Sequence, residues 1–179
     1  MVDSDYHNLI GIIERRRSVR QYAREAISDA LLADILRAAR LAPSAGNLQA
    51  RDFIVVRDSI MKHELAKAAY GQFFVATAPV VLVGCANIGR SRLAYGERAE
   101  LYAVQDATIA ACYIQLTAEA LGIATCWIGA FDEKRVSTAL RIPIDVRPVL
   151  MLPAGYPAES PEPTVRMELS RFVHQELWS

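Results

Sequence analysis

The 179-residue sequence has little of what metal-dependent proteins need. It contains only three histidines and three cysteines, and Cys85, Cys112 and Cys126 lie far apart with no C-x-x-C pair. Because structural and catalytic metal sites need clustered Cys, His or carboxylate ligands, we expect no metal site. Each cysteine lies in an apolar segment, which predicts three small buried side chains.

Long hydrophobic runs are also missing. The longest, from Ala78 to Ala86, contains Pro79 and Gly84 and is too short to span a bilayer, so it predicts a buried strand. The beginning of the chain, with Asp3 among its polar residues, does not resemble a signal peptide. We therefore expect a cytoplasmic protein with no membrane partner.

No net charge is present either. Lys plus Arg and Asp plus Glu balance at 20 each, which argues against a nucleic-acid partner because such proteins carry a basic field. What the chain has in excess is apolar residues, at 53%. A chain this apolar either buries much of itself or shares surface with a partner.

The hydrophobic pattern predicts one domain in which four apolar strands alternate with helices. A helix capped by Ser28 or Asp29 is expected to end near Leu41, and a helix capped by Asp132 is expected to end before Pro143. The remaining predicted helices are Tyr6–Arg16, Ile60–Tyr70 and Glu97–Leu121, the strands are Phe53–Val56, Pro79–Cys85, Ile123–Ala130 and Pro148–Leu152, and Arg90–Arg98 is predicted as a loop leading into a helix.

The helix over Glu97–Leu121 is apolar around more than half of its circumference, which predicts a central, buried position with Gly122 at C′. A proline-rich stretch from Ala158 to Pro163 follows the last strand. The tail beyond it, 164–179, carries several large apolar residues, so it must dock on its own domain or on a second copy, and we favour the second copy.

Three polar stretches are candidates for chemistry. The segment Arg15–Tyr22 holds four arginines and Ser18, which suits an anion site but also a solvated basic patch at a helix C-terminus. The segment Ala42–Gln49 offers amides and hydroxyls for a polar heterocycle, or is an ordinary helix-ending turn. In Ala124–Phe131, Gly129 marks either a close backbone approach to a ligand or a simple strand end.

Taken in order along the chain, these stretches resemble the nitroreductase-like family of FMN-dependent oxidoreductases. The matching motifs are Arg16-Arg17-Ser18-Val19-Arg20-Gln21-Tyr22, Ala42–Gln49 before Phe53–Val56, Leu121-Gly122 leading to Trp127-Ile128-Gly129, and Leu152–Glu159. The resemblance implies an α+β fold with a central, mixed but mostly antiparallel sheet flanked by helices. It also implies a homodimer in which the FMN-binding domain, 1–163, is followed by an extension, 164–179, that packs on the partner subunit.

The same resemblance implies roles for individual residues. Expected cofactor-binding residues are Arg16, Arg17 and Ser18 at the FMN phosphate and ribityl chain, Arg20 and Asn47 at the pyrimidine edge with Gln49 nearby, Ile128 and Gly129 near N5, and Arg166 returning to the phosphate. The flavin carries the redox chemistry, so no catalytic side chain is required.

Two departures from the family pattern stand out. The family often has Gln-Pro-Trp where this chain has Gln49-Ala50-Arg51, and the region before the long helix, Ala86–Arg98, is short. The short region predicts an open or small substrate pocket in which Tyr95 is either a lining residue or a surface loop residue.

The predicted function is an FMN-dependent oxidoreductase that uses NADH or NADPH to reduce a small-molecule electron acceptor, such as a nitroaromatic or a quinone, by a ping-pong mechanism. Alternatives on the same fold are a flavin-dependent dehalogenase, a flavin-fragmenting enzyme and a non-catalytic flavin-binding protein. The short Ala86–Arg98 region argues against the first two, because those members carry distinctive lid segments.

Overall fold

A computed structural model describes residues 4–178. Asp3, at the polar start of the chain, and Ser179, the last residue of the predicted extension, lie outside the described residues. Within the described part, no helix combines the length and the apolar character that crossing a bilayer demands.

The described residues form seven α-helices and four strands. The helices are α1 (Ser4–Arg15), α2 (Asp29–Leu41), α3 (Ser59–Ala68), α4 (Phe74–Thr77), α5 (Ile88–Tyr95), α6 (Ala99–Ala120) and α7 (Glu133–Leu140). The strands are β1 (Arg51–Val56), β2 (Val80–Asn87), β3 (Ala124–Thr125) and β4 (Val146–Gly155).

Short polar side chains cap several helices, and the caps of α2 and α7 are among those predicted. Ser28 Oγ accepts a hydrogen bond from the Leu31 N–H at 3.2 Å, so Ser28 and not Asp29 caps α2. Asp58 and Asp132 cap α3 and α7 in the same way, at 2.8 and 3.0 Å. Each cap satisfies a backbone donor that the first helical turn leaves free. At the other end of α6, Gly122 adopts φ +75, as predicted for C′.

The sheet has the order β1-β2-β4-β3, and every neighbouring pair of strands is antiparallel. One parallel bridge, between Ser18 and Thr125, adds the segment after α1 to the edge of β3. The predicted α+β architecture with a mixed, mostly antiparallel sheet is therefore confirmed.

Helices cover both faces of the sheet. Alternate residues of β2 and β4 point to opposite faces, so each strand contributes side chains to two core clusters. Leu82 and Leu150 pack with Ile35 of α2 and Ile114 of α6. On the other face, Val83 belongs to a second cluster that includes residues of α3, α4 and α7. The long helix α6 is central, as predicted, and its buried side is rich in alanine, which lets it approach the sheet closely.

Three expectations about local structure were wrong. Arg90–Arg98 is not a loop: it falls in α5 and a 3₁₀ turn at Gly96–Arg98, and its N-terminus is capped by Asn87. The strand predicted over Ile123–Ala130 is reduced to the two residues of β3 and a single bridge between Ile128 and Met151. Cys112 is exposed, whereas the other two thiols are buried.

Candidate functional site

The arginine-rich segment leaves α1 and runs as an extended strand beside β3. The Val19 N–H donates to the Thr125 carbonyl at 3.2 Å. The Glu159 carboxylate, just beyond β4, accepts from the backbone N–H groups of Arg20 and Gln21. These contacts hold the backbone of the segment on both sides. The Arg17 guanidinium folds back and donates to the Glu14 and Arg16 carbonyls at the end of α1.

A cavity of about 630 Å³ opens between this segment and the proline-rich stretch that follows β4. Its lining contains four arginines and only two acidic side chains, so its charge suits an anion. The polar lining residues are Arg16, Arg17, Ser18, Arg20, Thr164 and Arg166 with Glu14 and Glu162.

Two titratable groups behind the cavity, Tyr22 and Cys126, do not oppose this charge, whereas the Glu159 carboxylate lies against the backbone of Arg20. Burial raises the pKa of Tyr22 well above its ordinary value, and its hydroxyl donates to the Val19 carbonyl at 2.6 Å. Burial also raises the pKa of the Cys126 thiol, against the smaller opposing effects of Arg20 and of a hydrogen bond with Ser18. Both groups are neutral at neutral pH, so neither offsets the positive charge of the arginines.

The second predicted stretch forms a tight loop between α2 and β1. Gly46, Asn47 and Gln49 all have positive φ, between 51 and 56. Two contacts close the loop onto α6: the buried Asp106 carboxylate accepts from the Ala45 N–H at 2.9 Å and from the Ala50 N–H at 3.0 Å. The Asn47 and Gln49 amides are thereby carried on a short, tied turn.

Arg51 explains the departure from the family pattern in this loop. Its guanidinium points back into the protein and donates to the Ala39 carbonyl at 2.8 Å and to the Ala42 carbonyl at 3.0 Å. It therefore satisfies the free carbonyls at the end of α2, where a cation also suits the helix dipole. Burial lowers the pKa of Arg51, and the charge of Asp106 opposes that shift.

Tyr95 lies against the same loop. It is half-buried, and a Cβ built on Gly46 would approach its hydroxyl to 2.4 Å. The Tyr95 ring packs edge to face on Tyr102, with ring centroids 4.7 Å apart. Arg90 ties α5 to the start of β1 by donating to Asp52 at 2.8 Å. Tyr95 is therefore part of a packed helix and not a free loop residue.

The third predicted stretch leaves a backbone donor exposed. Ile128 is buried and exchanges two hydrogen bonds with Met151, at 3.0 and 2.9 Å. The next residue, Gly129, is exposed, and its N–H finds no acceptor among residues 4–178. A Cβ at Gly129 would meet nothing closer than the Trp127 ring nitrogen at 3.7 Å. Within the described part of the chain, the turn at Gly129 therefore has both an unbonded backbone N–H and open space in front of it.

The predicted site residues fall into groups in the single chain. The cavity collects Arg16, Arg17, Ser18, Arg20 and Arg166. The lining of this cavity does not include Asn47, Gln49, Tyr95, Ile128 or Gly129. The first three of these share the loop region, and the last two follow Thr125, the residue that pairs with Ser18.

Asp106 was missed by the sequence reasoning. The signal that would have found it is its position: a single acid in the apolar middle of α6, between Ala103 and Ala110. A charged residue at such a place is buried with partners or is not in a central helix. Gln115, which donates to Thr125 at 2.9 Å from the same helix, carries the same kind of signal.

The sequence matches the profile of a known protein family. The profile of the nitroreductase family matches residues 13–75 and 60–156, which together cover most of the chain. The chain belongs to the nitroreductase family.

Two relatives are similar to the chain over most of their length. The chain is 34% identical to a protein of Thermus thermophilus named NADH dehydrogenase, with 92% of each chain covered. It is 36% identical to a protein of Archaeoglobus fulgidus named putative NADH dehydrogenase/NAD(P)H nitroreductase, with 93% of this chain and 97% of that one covered. This nitroreductase-family chain also superposes on the NADPH:FMN oxidoreductase of Vibrio harveyi complexed with NAD+, with a TM-score of 0.90, 27% identity, and 96% of this chain and 78% of that one covered.

Proposed function

We propose that the protein is an FMN-dependent oxidoreductase that uses NADH or NADPH to reduce a small electrophile, such as a nitroaromatic or a quinone. The observation that carries the proposal is the cavity of about 630 Å³ lined by Arg16, Arg17, Ser18, Arg20 and Arg166. The names of the relatives support it, because they describe NADH- and NADPH-dependent enzymes, one of which acts on FMN.

The residues of the cavity fit the phosphate of FMN. A phosphate monoester carries nearly two negative charges, which guanidinium groups bind through paired, charge-assisted hydrogen bonds. Ser18 adds a hydroxyl donor, and Arg166 approaches from the far side of the cavity. The neutral Tyr22 and Cys126 behind the arginines leave this charge available.

The remaining residues would serve the flavin ring. When bound, FMN supplies the hydride chemistry and exchanges two electrons with NAD(P)H and with the acceptor. Arg20 would stabilise the negative charge that reduction places on the pyrimidine edge, and Asn47 would hydrogen-bond that edge with Gln49 nearby. The Ile128–Gly129 turn would supply the exposed Gly129 N–H as a hydrogen-bond donor to the flavin ring. NAD(P)+ would leave before the acceptor binds, as a ping-pong mechanism requires.

We further propose that the protein acts as a homodimer in the cytoplasm, where NAD(P)H is regenerated. The large apolar side chains of the tail beyond Pro163 are left uncovered by its own domain: Val165 is 97% exposed and Trp178 is 91% exposed. Large apolar side chains at such exposure indicate a missing partner surface. Tyr113, on α6, is also exposed and offers apolar surface to a second copy. A second copy would also explain why Asn47 and Gln49 lie outside the arginine cavity of the same chain.

The first test is the absorption spectrum of the purified protein and the identity of what acid releases from it. We expect a yellow protein that releases FMN, is bleached by NADH or NADPH without oxygen, and recovers its colour when a quinone is added. A colourless protein that fails to take up added FMN would refute the proposal.

A double variant tests the arginines themselves. We expect R16A/R17A to bind FMN at least about 100-fold more weakly, because each guanidinium–phosphate contact contributes on the order of 1.5–3 kcal/mol. The matched control, R15A/R24A, removes the same charge from side chains outside the cavity and should bind FMN nearly as the wild type does. Equal affinities for the two double variants would show that the cavity is not the phosphate site.

A further inference from the structure

The carboxylate of Asp106 is buried inside the protein but is not used by any step proposed above. It is 2% exposed, lies in the middle of α6, and accepts hydrogen bonds from the Ala45 and Ala50 N–H groups. These two donors stand at the two ends of the loop that carries Asn47 and Gln49. One side chain therefore holds both ends of the loop.

The loop needs such a closure because its backbone is unfavourable. Gly46, Asn47 and Gln49 have φ values of 53, 56 and 51, a region that residues with a side chain rarely occupy. Besides Asp106, the contacts that hold the loop include the Ser44 Oγ, which accepts from the Gln49 N–H at 3.0 Å, and the Arg90 guanidinium, which donates to the Gln49 carbonyl. Buried backbone donors that found no acceptor would also oppose folding, and Asp106 satisfies two of them.

We propose that Asp106 is a positioning residue for flavin binding: by holding both ends of the 45–50 loop, it presents the Asn47 and Gln49 amides in the geometry that the isoalloxazine ring requires. The inference rests on the proposed FMN-dependent function. The proposal assigns recognition of the flavin ring and of the phosphate to different parts of the protein. Ring recognition depends on Asp106, whereas phosphate recognition depends on the arginine cavity, whose lining includes no residue of the 45–50 loop.

Asp106→Asn is the smallest change that breaks the closure. An asparagine side chain has nearly the same shape but only one acceptor oxygen, so one of the two backbone N–H groups faces another donor. The matched control is Asp58→Asn. Asp58 also accepts from a backbone N–H, that of Met61 at 2.8 Å, but it caps α3 beyond the opposite end of β1.

Two binding measurements distinguish positioning from general destabilisation. We expect Asp106→Asn to weaken FMN binding about tenfold or more, the effect of one lost hydrogen bond to the ring. Inorganic phosphate, used as a competitor against FMN, should keep its wild-type inhibition constant in the same variant. Asp58→Asn should leave both constants within about twofold of the wild type even if its melting temperature falls.

A measurement on the wild-type protein without FMN tests the closure independently of any variant. Amide hydrogen exchange, resolved by NMR, should be slow at Ala45 and Ala50 before FMN is added. Fast exchange at both amides, with protection only after FMN binds, would overturn the inference because the loop would not be preformed. If the Asp106→Asn variant does not fold, the hydrogen-exchange measurement on the wild-type protein tests the inference by itself.

The outcomes are distinguishable. A wild-type protein that binds no FMN refutes the proposed function and the inference together. A wild-type protein that binds FMN, with an Asp106→Asn variant that binds it as well as Asp58→Asn does, refutes the inference alone. Parallel losses of FMN and phosphate affinity in Asp106→Asn would also refute it, because they would show a structural defect that reaches the arginine cavity.

Discussion

Gly46 connects the loop that carries Asn47 to helix α5, and replacing it with alanine tests that contact. The new Cβ would lie 2.4 Å from the Tyr95 hydroxyl and 3.4 Å from its ring carbon Cζ. The first distance is impossible without movement, whereas the second is tolerable. Gly46 also has φ +53, where an L-residue costs on the order of 1–2 kcal/mol.

The expected loss in the free energy of unfolding is therefore composed of two parts. The backbone contributes about 1–2 kcal/mol, and displacing Tyr95 from its packing on Tyr102 adds roughly 1 kcal/mol. The variant Tyr95→Phe removes the hydroxyl that collides. In the Tyr95→Phe background, Gly46→Ala should cost only the backbone part, which gives a coupling of roughly 1 kcal/mol between the two positions.

Urea unfolding of the four proteins of this cycle measures the coupling. Gly122→Ala is the matched control, since Gly122 has φ +75 and a Cβ there would meet nothing within 4 Å. It should cost the backbone part alone and should not couple to Tyr95→Phe. Additive effects of Gly46→Ala and Tyr95→Phe would refute the packing of α5 against the loop.

Three further predictions concern other parts of the molecule. Truncation after Pro163 should give monomers or insoluble protein in size-exclusion chromatography, and a soluble, stable dimer would contradict the proposed packing of the tail on a partner. The hydrogen bond from Arg147 holds the pKa of Glu133 below its ordinary value, so the pair stabilises the fold above a pH of about 4.3 and this contribution is lost as the pH falls through the lowered pKa. Glu133→Gln should therefore lower stability at neutral pH, by less than about 1 kcal/mol because the side chain is 42% exposed, and the difference from wild type should shrink as the pH falls below 4 in acid-unfolding curves. Burial raises the pKa of Cys85 to about 12 and also raises that of Cys126, so neither thiol should react with Ellman's reagent in the native protein at pH 8, and fast labelling of either would contradict its burial.

The sequence predicted those elements whose physical signal is local. Ser28 and Asp132 cap helices because a side-chain oxygen next to an apolar periodic segment has one obvious backbone donor to satisfy. The buried strand β2 is apolar from Val80 to Ala86 because both faces of the sheet are covered.

The elements that the sequence did not predict depend on partners far along the chain. The helix α5 has little apolar periodicity, and it is tied down by Arg90, which reaches back to Asp52. The segment after Thr125 is apolar like a strand, yet it forms almost no ladder because its neighbour at that edge is the short stretch around Ser18. Asp106 acquires its two hydrogen-bond donors only when the loop from Ala45 to Ala50 folds onto α6.

The placement of the site residues divides in the same way. One wall of the arginine cavity could be anticipated, because Arg16, Arg17, Ser18 and Arg20 lie within five residues of one another in the sequence. The position of Asn47 and Gln49 relative to that cavity could not be anticipated. The conformation of their loop depends on contacts with α6, and in the proposed dimer the flavin ring would lie between two copies of the chain. The sequence therefore indicated which residues are candidates for cofactor binding, but it did not indicate how they are arranged on the surface.

The spacing of Asp106 and Gln115 on α6 has a consequence for how this chain can change. The interval between them corresponds to about two and a half helical turns and about 14 Å of rise, so the two side chains leave the helix on nearly opposite sides. One reaches the 45–50 loop and the other reaches Thr125 beside the arginine segment. Inserting or deleting a single residue between them would rotate one contact by about 100° relative to the other. The number of residues in this interval is therefore constrained independently of which residues occupy it.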